Sequence, residues 1–213
     1  MRFYRLLSLL TFGAFACSGQ TWEVGVAGGY SFYQDASITS GGSSAQAGFK
    51  PGGAGSAEVG QDVWQYFGGE LRYTYLFGDA RLRSGGQEAT LGANAQAVHY
   101  DFLVYGTPKG SQIRPYVSAG GGIKYYMGTG GESAAQPLRN FAFLTHTSEV
   151  EGLFTAGAGL KAHIDEHWLV RVDFRYYLTR LPDNILTPAP GANGHGWLHN
   201  FVPMAGIAWT FGR

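Results

Sequence analysis

Two neighbouring stretches of the chain decide the fold: 154-FTAGAGLKAH-163 and 168-WLVRVDFRYYL-178, separated by the short turn IDEH. In the second stretch, apolar and charged side chains alternate strictly from Val170 to Arg175. Such alternation is typical of a β-strand with one face in an apolar environment. The first stretch alternates in the same way with smaller side chains. We therefore expect the two stretches to form an antiparallel hairpin.

The same period of two recurs along most of the chain and predicts eight strands. They cover 22–33, 62–77, 80–84, 94–105, 115–127, 148–163, 168–179 and 201–211. The strand at 80–84 has the weakest pattern. The segment 38–60 is rich in Gly, Ser and Ala and contains Pro51, which predicts a loop.

Strand length and connection length both point to a membrane. Most of the predicted strands have about ten residues or more, as a tilted strand needs to cross a bilayer; strands in globular sheets have about five or six. Connections after odd strands are long and polar, whereas those after even strands are short turns. This asymmetry is typical of outer-membrane barrels. The pattern predicts an all-β protein, an eight-stranded antiparallel up-and-down transmembrane β-barrel.

Composition indicates which face of this barrel points inward. A soluble barrel with an apolar interior would show the same periodicity, but its outer face would be rich in Lys and Glu. Here the polar face consists mostly of Gly, Ser, Thr, Ala and Tyr. Charged residues make up only 14% of the chain, against about 25% in soluble domains. The polar face is therefore expected to line a narrow lumen, and the apolar face to contact lipid.

Aromatic side chains gather toward the ends of the predicted strands, where membrane proteins place their interfacial girdles. The predicted interface aromatics are Trp22, Tyr30, Phe32, Trp168, Tyr176, Trp209 and Phe211.

The charge balance and the remaining composition exclude other classes. The chain has 15 basic and 15 acidic residues, so no basic excess favours nucleic acid. Its 34 glycines argue against a helical protein, because glycine destabilises helices. The pairs His163/His167 and His195/His199 have the i,i+4 spacing of a metal site on a helix, but they lie at a turn and in a loop. No metal or cofactor is predicted.

The N-terminus has the pattern of a secretory signal peptide. Arg2 and Arg5 precede the apolar run 6–16, which ends in Ala-Phe-Ala. We expect the signal to cover 1–16, with cleavage as late as residue 20 as an alternative, and the barrel domain to cover 20–213. Cys17, the only cysteine, leaves open a lipidated N-terminus.

With these strands identified, the chain resembles the small eight-stranded outer-membrane barrels of Gram-negative bacteria, the family that includes the membrane domain of outer membrane protein A. The stretches 154–163 and 168–177 and the last strand, 203-PMAGIAWTF-211, are the most similar to the family. The chain departs from the family in having Gly212 and Arg213 after the final aromatic residue. The resemblance implies a place in the outer membrane, contact with its lipids and lipopolysaccharide, and insertion by the outer-membrane assembly machinery.

The lumen of such a barrel is just wide enough for side chains to fill, and isolated charges there would be costly. We therefore predict a paired network in the lumen. Its predicted members are Glu70, Arg72, Asp101, Lys124, Glu149, Glu151, Lys161, Arg171, Asp173 and Arg175. Lys161 and Arg171 are expected to be neighbours across the hairpin, with Asp173 and Glu151 as partners. We interpret the network as a plug; a salt-bridge gate in a narrow pore is the alternative.

Function is then expected to lie in the long outer loops, either in binding an unidentified extracellular ligand or in a structural role. A second alternative is a lipid A-modifying enzyme. His146-Thr147-Ser148 followed by Glu149 has the residue types in which a histidine activates a serine hydroxyl. No further motif supports this pair, and we do not expect the protein to be an enzyme.

Overall fold

The computed structural model describes residues 20–133, 135–194 and 196–212. The predicted signal peptide, its cleavage site, the lipidation of Cys17 and the side chain of His195 lie outside the described residues. Within the described part of the chain, no helix is long and apolar enough to cross a membrane.

The described residues form fourteen strands. The eight long strands of the barrel are β1 (Thr21–Gln34), β4 (Gly52–Asp62), β5 (Phe67–Phe77), β8 (Ala93–Tyr105), β9 (Ile113–Gly128), β11 (Ser148–His163), β12 (Trp168–Arg180) and β14 (Trp197–Phe211). The six short strands outside the barrel are β2 (Ala36–Ser40), β3 (Ser43–Phe49), β6 (Ala80–Ser84), β7 (Gln87–Leu91), β10 (Ala142–Leu144) and β13 (Leu186–Pro188).

The long strands form one closed antiparallel barrel in the order β1-β14-β12-β11-β9-β8-β5-β4. The first and last strands pair from Trp22 opposite Phe211 to Gln34 opposite His199. Closure leaves the barrel without an unpaired edge. The predicted fold class, an eight-stranded up-and-down barrel, is confirmed.

The two ends of the barrel differ. At one end, called the long-loop end, the strands are joined by the segments 35–51, 78–92, 129–147 and 181–196. At the other, the short-turn end, they are joined by 63–66, 106–112 and 164–167. The predicted alternation of long and short connections is therefore present.

Three strand assignments from the sequence are wrong. The predicted strand 62–77 contains the end of β4, the turn 63–66 and β5. The segment 38–60, expected to be a loop, contains β2, β3 and the barrel strand β4. The segment 80–84, expected to be a barrel strand, is β6 of a separate sheet. The misreading of 38–60 has a clear cause: β4 presents Gly53, Gly55 and Ala57 on its outer face, so its hydropathy pattern is flat. Backbone pairing with β1 and β5 nevertheless makes it part of the barrel.

The long loops fold into a cap over the barrel. The strands β2-β3-β6-β7 form a four-stranded sheet, and β10 pairs with β13. Beneath these sheets lies an apolar core that continues into the barrel at its long-loop end. Its fully buried members include Ile38, Leu82, Leu144, Ile185 and Leu186. Loops that bury such a core form a packed structure rather than flexible connections.

Candidate functional site

Charged side chains fill the middle of the barrel because alternate residues of each strand point inward. We call this set the interior charge cluster, and it combines five carboxylates with four basic groups. Its members are Glu23, Glu58, Glu70, Arg72, Asp101, Lys161, Arg171, Asp173 and Arg175, none of them more than 7% exposed.

Arg171 occupies the centre of the cluster. Its Nη1 donates to Glu70 Oε2 at 2.7 Å, to Glu23 Oε1 at 3.1 Å and to Glu58 Oε1 at 3.2 Å. Its Nε donates to Asp173 Oδ2 at 3.1 Å. One guanidinium group therefore joins carboxylates from four strands, β1, β4, β5 and its own strand β12.

Two further arginines share Glu70 and Asp173 with Arg171, and one of them adds Asp101. Arg72 lies 2.9 Å from Glu70 and 3.2 Å from Asp173. Arg175 lies 2.9 Å from Glu70 and 3.0 Å from Asp173, and also forms an ion pair with Asp101. Planar guanidinium groups suit this task because each offers five N–H donors in fixed directions. Each of these buried arginines is therefore compensated by more than one carboxylate.

Lys161 extends the cluster toward the short-turn end. Its Nζ donates to Glu23 Oε2 at 2.6 Å and to the Tyr105 hydroxyl at 3.1 Å. Lys161 and Arg171 are opposite each other in the β11–β12 register, as the hairpin pattern indicated. Asp173 is among the partners of Arg171, whereas Glu151 is not.

Glu149 and Glu151 do not join the cluster, contrary to expectation. Both lie near the long-loop end of β11, because this strand extends far beyond the level of the cluster. Glu149 accepts a hydrogen bond from the backbone N of Asn184 at 2.8 Å. Glu151 is opposite Lys124 in the β11–β9 register but forms no ion pair with it among the described residues.

Lys124 is fully buried yet is separate from the cluster. Its Nζ donates to Asn200 Oδ1 at 3.0 Å and to the Tyr33 hydroxyl at 3.3 Å. It also lies 4.8, 5.0 and 5.7 Å from the ring centres of Tyr33, Tyr126 and Tyr177. We call these five residues the lysine cage. Within the described ranges no carboxylate pairs with Lys124, so ring faces and neutral oxygens compensate its charge.

His99 lies between the cage and the cluster and contacts both. The Tyr177 hydroxyl lies 3.2 Å from His99 Nε2, and His99 Nδ1 lies 3.2 Å from Asp101 Oδ1. The second contact lacks the direction of a hydrogen bond, and Nδ1 has no partner among the described residues. On its other side, the cage meets the cap, because Phe49 stacks on Tyr126 with ring centres 5.1 Å apart.

Sequence reasoning missed two acids of the cluster. Glu23 alternates with Trp22 and Val24, so the period of the first strand already placed it on the inner face. Glu58 lies in the segment taken for a loop, and only recognition of β4 would have found it.

The predicted interface aromatics lie on the outer face of the barrel in two groups. Trp22, Trp168, Trp209 and Phe211 are at the short-turn end, and Tyr30, Phe32 and Tyr176 are toward the long-loop end. Trp168 and Trp209 pack edge to face with centres 4.9 Å apart. Tyr30 and Phe32 do so at 5.0 Å.

The residues considered for catalysis are not joined to each other. His146 Nδ1 lies 2.9 Å from the carbonyl oxygen of Gly130, and its backbone N donates to Glu132. No hydrogen bond links His146 to Ser148 in the described part of the chain. Likewise, no group of three or more His, Cys, Asp or Glu among the described residues could hold a metal ion.

Comparison with known proteins gives the same architecture. The family described as outer membrane protein beta-barrel domain matches residues 5–202. The outer membrane protein OprG from Pseudomonas aeruginosa is similar over 92% of this chain and 97% of its own, with a TM-score of 0.59 and 13% identity. Neisserial surface protein A is similar over 91% of this chain and 100% of its own, with a TM-score of 0.52 and 11% identity. No curated protein matches by sequence.

Proposed function

Because this chain belongs to the family of outer membrane protein β-barrel domains, we propose that it is a closed barrel of the outer membrane that presents a folded cap to the exterior. In this membrane, long loops face outward and short turns face the periplasm. The cap is then extracellular, and it is the part of the protein that an external ligand meets. Outer-membrane lipids and lipopolysaccharide surround the apolar wall, and the assembly machinery inserts it.

The observation that carries this proposal is the filling of the lumen. Arg72, Arg171 and Arg175 are at most 1% exposed, and together they reach carboxylates on five of the eight barrel strands, including their own. Opening a path through them would separate several ion pairs at once, and breaking one buried pair costs about 3–5 kcal/mol. The charge cluster is therefore a plug rather than a gate in this proposal.

A second barrier supports the same conclusion. The apolar core of the cap continues into the barrel at its long-loop end, where Phe49 contacts Tyr33 and Tyr126. Ions passing from the exterior would have to cross this apolar layer before they reached the charged one.

Planar-bilayer recording tests the proposal. We expect the purified barrel to show no steady conductance, and the variant Phe49→Ala to remain closed because the charge cluster is intact. Steady ohmic conductance of the unaltered protein would overturn the plug and favour the gated pore.

We also propose that the protein is not an enzyme. Lipid A from cells that express the protein should have the same mass spectrum as lipid A from cells that express Ser148→Ala. A modification that depends on Ser148 would instead establish the enzyme alternative.

A further inference from the structure

The outer face of β8 changes from apolar to polar toward the long-loop end. Alternate residues of this strand point outward. Those nearer the short-turn end are apolar or aromatic and exposed: Val98, Tyr100, Phe102 and Val104. The next two, Gln96 and Asn94, carry carboxamides and are half-buried. A carboxamide that faces lipid needs a hydrogen-bonding partner, because an unpaired polar group in an apolar environment is costly.

Three tyrosines surround Gln96 on the neighbouring strands. Tyr75 on β5 and Tyr125 on β9 are its register partners, and the Tyr73 hydroxyl donates to Gln96 Oε1 at 3.0 Å. We call Tyr73, Tyr75, Gln96 and Tyr125 the amide–tyrosine patch. Among the described residues, Gln96 Nε2 and the hydroxyls of Tyr75 and Tyr125 have no hydrogen-bond partner, and none of these three atoms is enclosed. The patch therefore offers an amide N–H group and two hydroxyls to a molecule outside the barrel.

Gln96 lies at about the same height in the wall as the outer aromatics of the long-loop end. It is eight residues from Val104 along β8, just as Tyr176 is eight residues from Trp168 along β12. A strand rises about 3.3 Å per residue and is tilted by about 40°, so each interval covers about 20 Å along the barrel axis. The apolar band of outer-membrane barrels is about 25 Å tall. The amide–tyrosine patch therefore lies near the edge of this band, where the headgroups of the lipids begin.

We propose that the amide–tyrosine patch binds the sugar headgroup of lipopolysaccharide in the outer leaflet of the membrane. The inference rests on the proposed function, in which the long-loop end faces the exterior and lipopolysaccharide surrounds this part of the wall. Gln96 Nε2 donates to a hydroxyl or amide oxygen of a sugar, and the hydroxyls of Tyr75 and Tyr125 bond to neighbouring groups. The tyrosine rings pack on the apolar parts of the sugar.

The chemistry of the patch favours a sugar over a phosphate. Proteins recognise phosphate groups with Arg, Lys or the N–H groups of a helix end, and none of the four side chains of the patch carries a charge. Carboxamide and hydroxyl groups instead both donate and accept hydrogen bonds, as the hydroxyl and amide groups of amino sugars do. We therefore expect the patch to prefer lipopolysaccharide to a phospholipid.

NMR spectra of the purified barrel in detergent micelles test the patch. Lipopolysaccharide trimmed to its lipid-linked sugars and phosphatidylglycerol are added separately, at matched mole fraction and ionic strength. We expect a saturable shift of the Gln96 side-chain amide with lipopolysaccharide, and an affinity about threefold or more higher than for phosphatidylglycerol, as for one additional hydrogen bond between neutral groups. Gln96→Leu should weaken binding of lipopolysaccharide about three- to tenfold for the same reason, measured at the backbone amides of residues 73–75 and 124–126.

Gln61→Leu is the matched control. Gln61 is also an outward carboxamide, but it lies on β4 at the short-turn end, where its Nε2 donates to Gln20 Oε1 at 2.6 Å. Its replacement should leave the affinity unchanged. Tyr125→Phe removes one hydroxyl and keeps the ring; it should weaken binding about twofold or more and serves in place of Gln96→Leu if that variant does not fold. Absence of saturable shifts, equal affinities for the two lipids, or unchanged affinity in the patch variants would overturn the site.

The lipid titration is independent of the plug and of the orientation of the barrel. Planar-bilayer conductance does not involve the patch, so failure of the patch leaves the closed barrel standing. Lys50 is an exposed residue between β3 and β4, and an amine reagent that does not cross membranes should label it on intact cells. Absence of this label would contradict the extracellular cap while leaving the measured lipid affinities unchanged.

Discussion

Arg171 and Glu70 meet in the middle of the barrel, where Nη1 of the arginine lies 2.7 Å from Oε2 of the glutamate. Both side chains are fully buried. The same nitrogen also reaches Glu23 and Glu58. The positive charge of Arg171 therefore compensates three acids at once, besides Asp173 beside its Nε.

We expect Arg171→Ala to be one of the most destabilising substitutions in the chain. It would leave several buried carboxylates without their shared cation, and removing one partner of a buried ion pair costs about 3–5 kcal/mol. Urea unfolding of the barrel in lipid vesicles, followed by heat-dependent gel migration, measures the change. The control Arg83→Ala removes an exposed arginine paired with Asp35, and should cost about 1 kcal/mol or less. Equal losses in the two variants would contradict the central role of Arg171.

A glycine in the barrel wall provides an independent test of the strand register. Gly122 is opposite His99 in the β8–β9 pair, and a Cβ there would overlap the carbonyl oxygen of Val98 and the Cα of His99. These backbone atoms cannot move aside without distorting the sheet. We expect Gly122→Ala to cost about 1–3 kcal/mol, as for other overpacked sites, and to lower the folded fraction on gels.

Gly152→Ala is the matched control for that substitution. Gly152 is also in the wall, on β11, but a Cβ there would meet nothing within 4 Å. Its folded fraction should equal that of the unaltered protein. If both alanine variants fold equally well, the register given for β8 and β9 is wrong.

The sequence was sufficient to predict the strands whose two faces differ in polarity. In β12, Val170, Val172 and Phe174 are exposed on the outer face while Arg171 and Asp173 point inward, so the period of two is visible in every residue. The same contrast predicted that most of the cluster would be together in the lumen. The connections 106–112, 129–147 and 181–196 were also readable, because Gly, Pro and Asn interrupt the pattern, whereas the turn 63–66 was taken as part of a strand.

Sequence patterns failed where the two faces of a strand do not differ in polarity. They also failed where the position of a residue along the barrel axis decides its contacts. Strand β4 was missed because most of its outward residues are glycine and alanine, with Val59 as the one large apolar side chain among them. Pairing between backbone atoms does not depend on the hydropathy of the side chains. Alternation fixes the face of a residue but not its depth. For this reason Glu151 and Lys124 were assigned correctly to the inner side but wrongly to the charge cluster.

Phe49 joins the cap to the barrel through two aromatic contacts, and its side chain can be truncated without changing a residue of the barrel. Phe49 is 1% exposed and packs between Tyr33 and Tyr126, with ring centres 5.4 and 5.1 Å away. Truncation of a buried phenylalanine costs about 3–5 kcal/mol. In Phe49→Ala we expect local opening of the cap, and proteolysis within 35–51 at a rate at least about tenfold higher.

The barrel of Phe49→Ala should still migrate as a folded protein, since its strands and charge cluster are unchanged. Phe77→Ala is the control: Phe77 is at the end of β5 and 57% exposed on the outer face, and its loss should not speed cleavage of the cap. Unchanged proteolysis of Phe49→Ala would show that the cap is held by other contacts.

The two buried lysines of the lumen make a matched pair for the last prediction. Lys161 forms an ion pair with Glu23 at 2.6 Å, whereas Lys124 is held by Asn200, Tyr33 and aromatic faces. Replacing Lys161 by methionine removes one of the two cations paired with Glu23, and we expect a loss of about 3–5 kcal/mol in unfolding free energy.

Replacing Lys124 by methionine removes a buried charge without leaving an acid unpaired. The cost is then limited to the polar groups left without a donor, about 1–3 kcal/mol, and the gain from removing an unpaired charge offsets part of it. Urea unfolding in vesicles should therefore rank Lys124→Met as clearly more stable than Lys161→Met. The opposite ranking would mean that Lys124 has an acidic partner in the membrane-embedded protein.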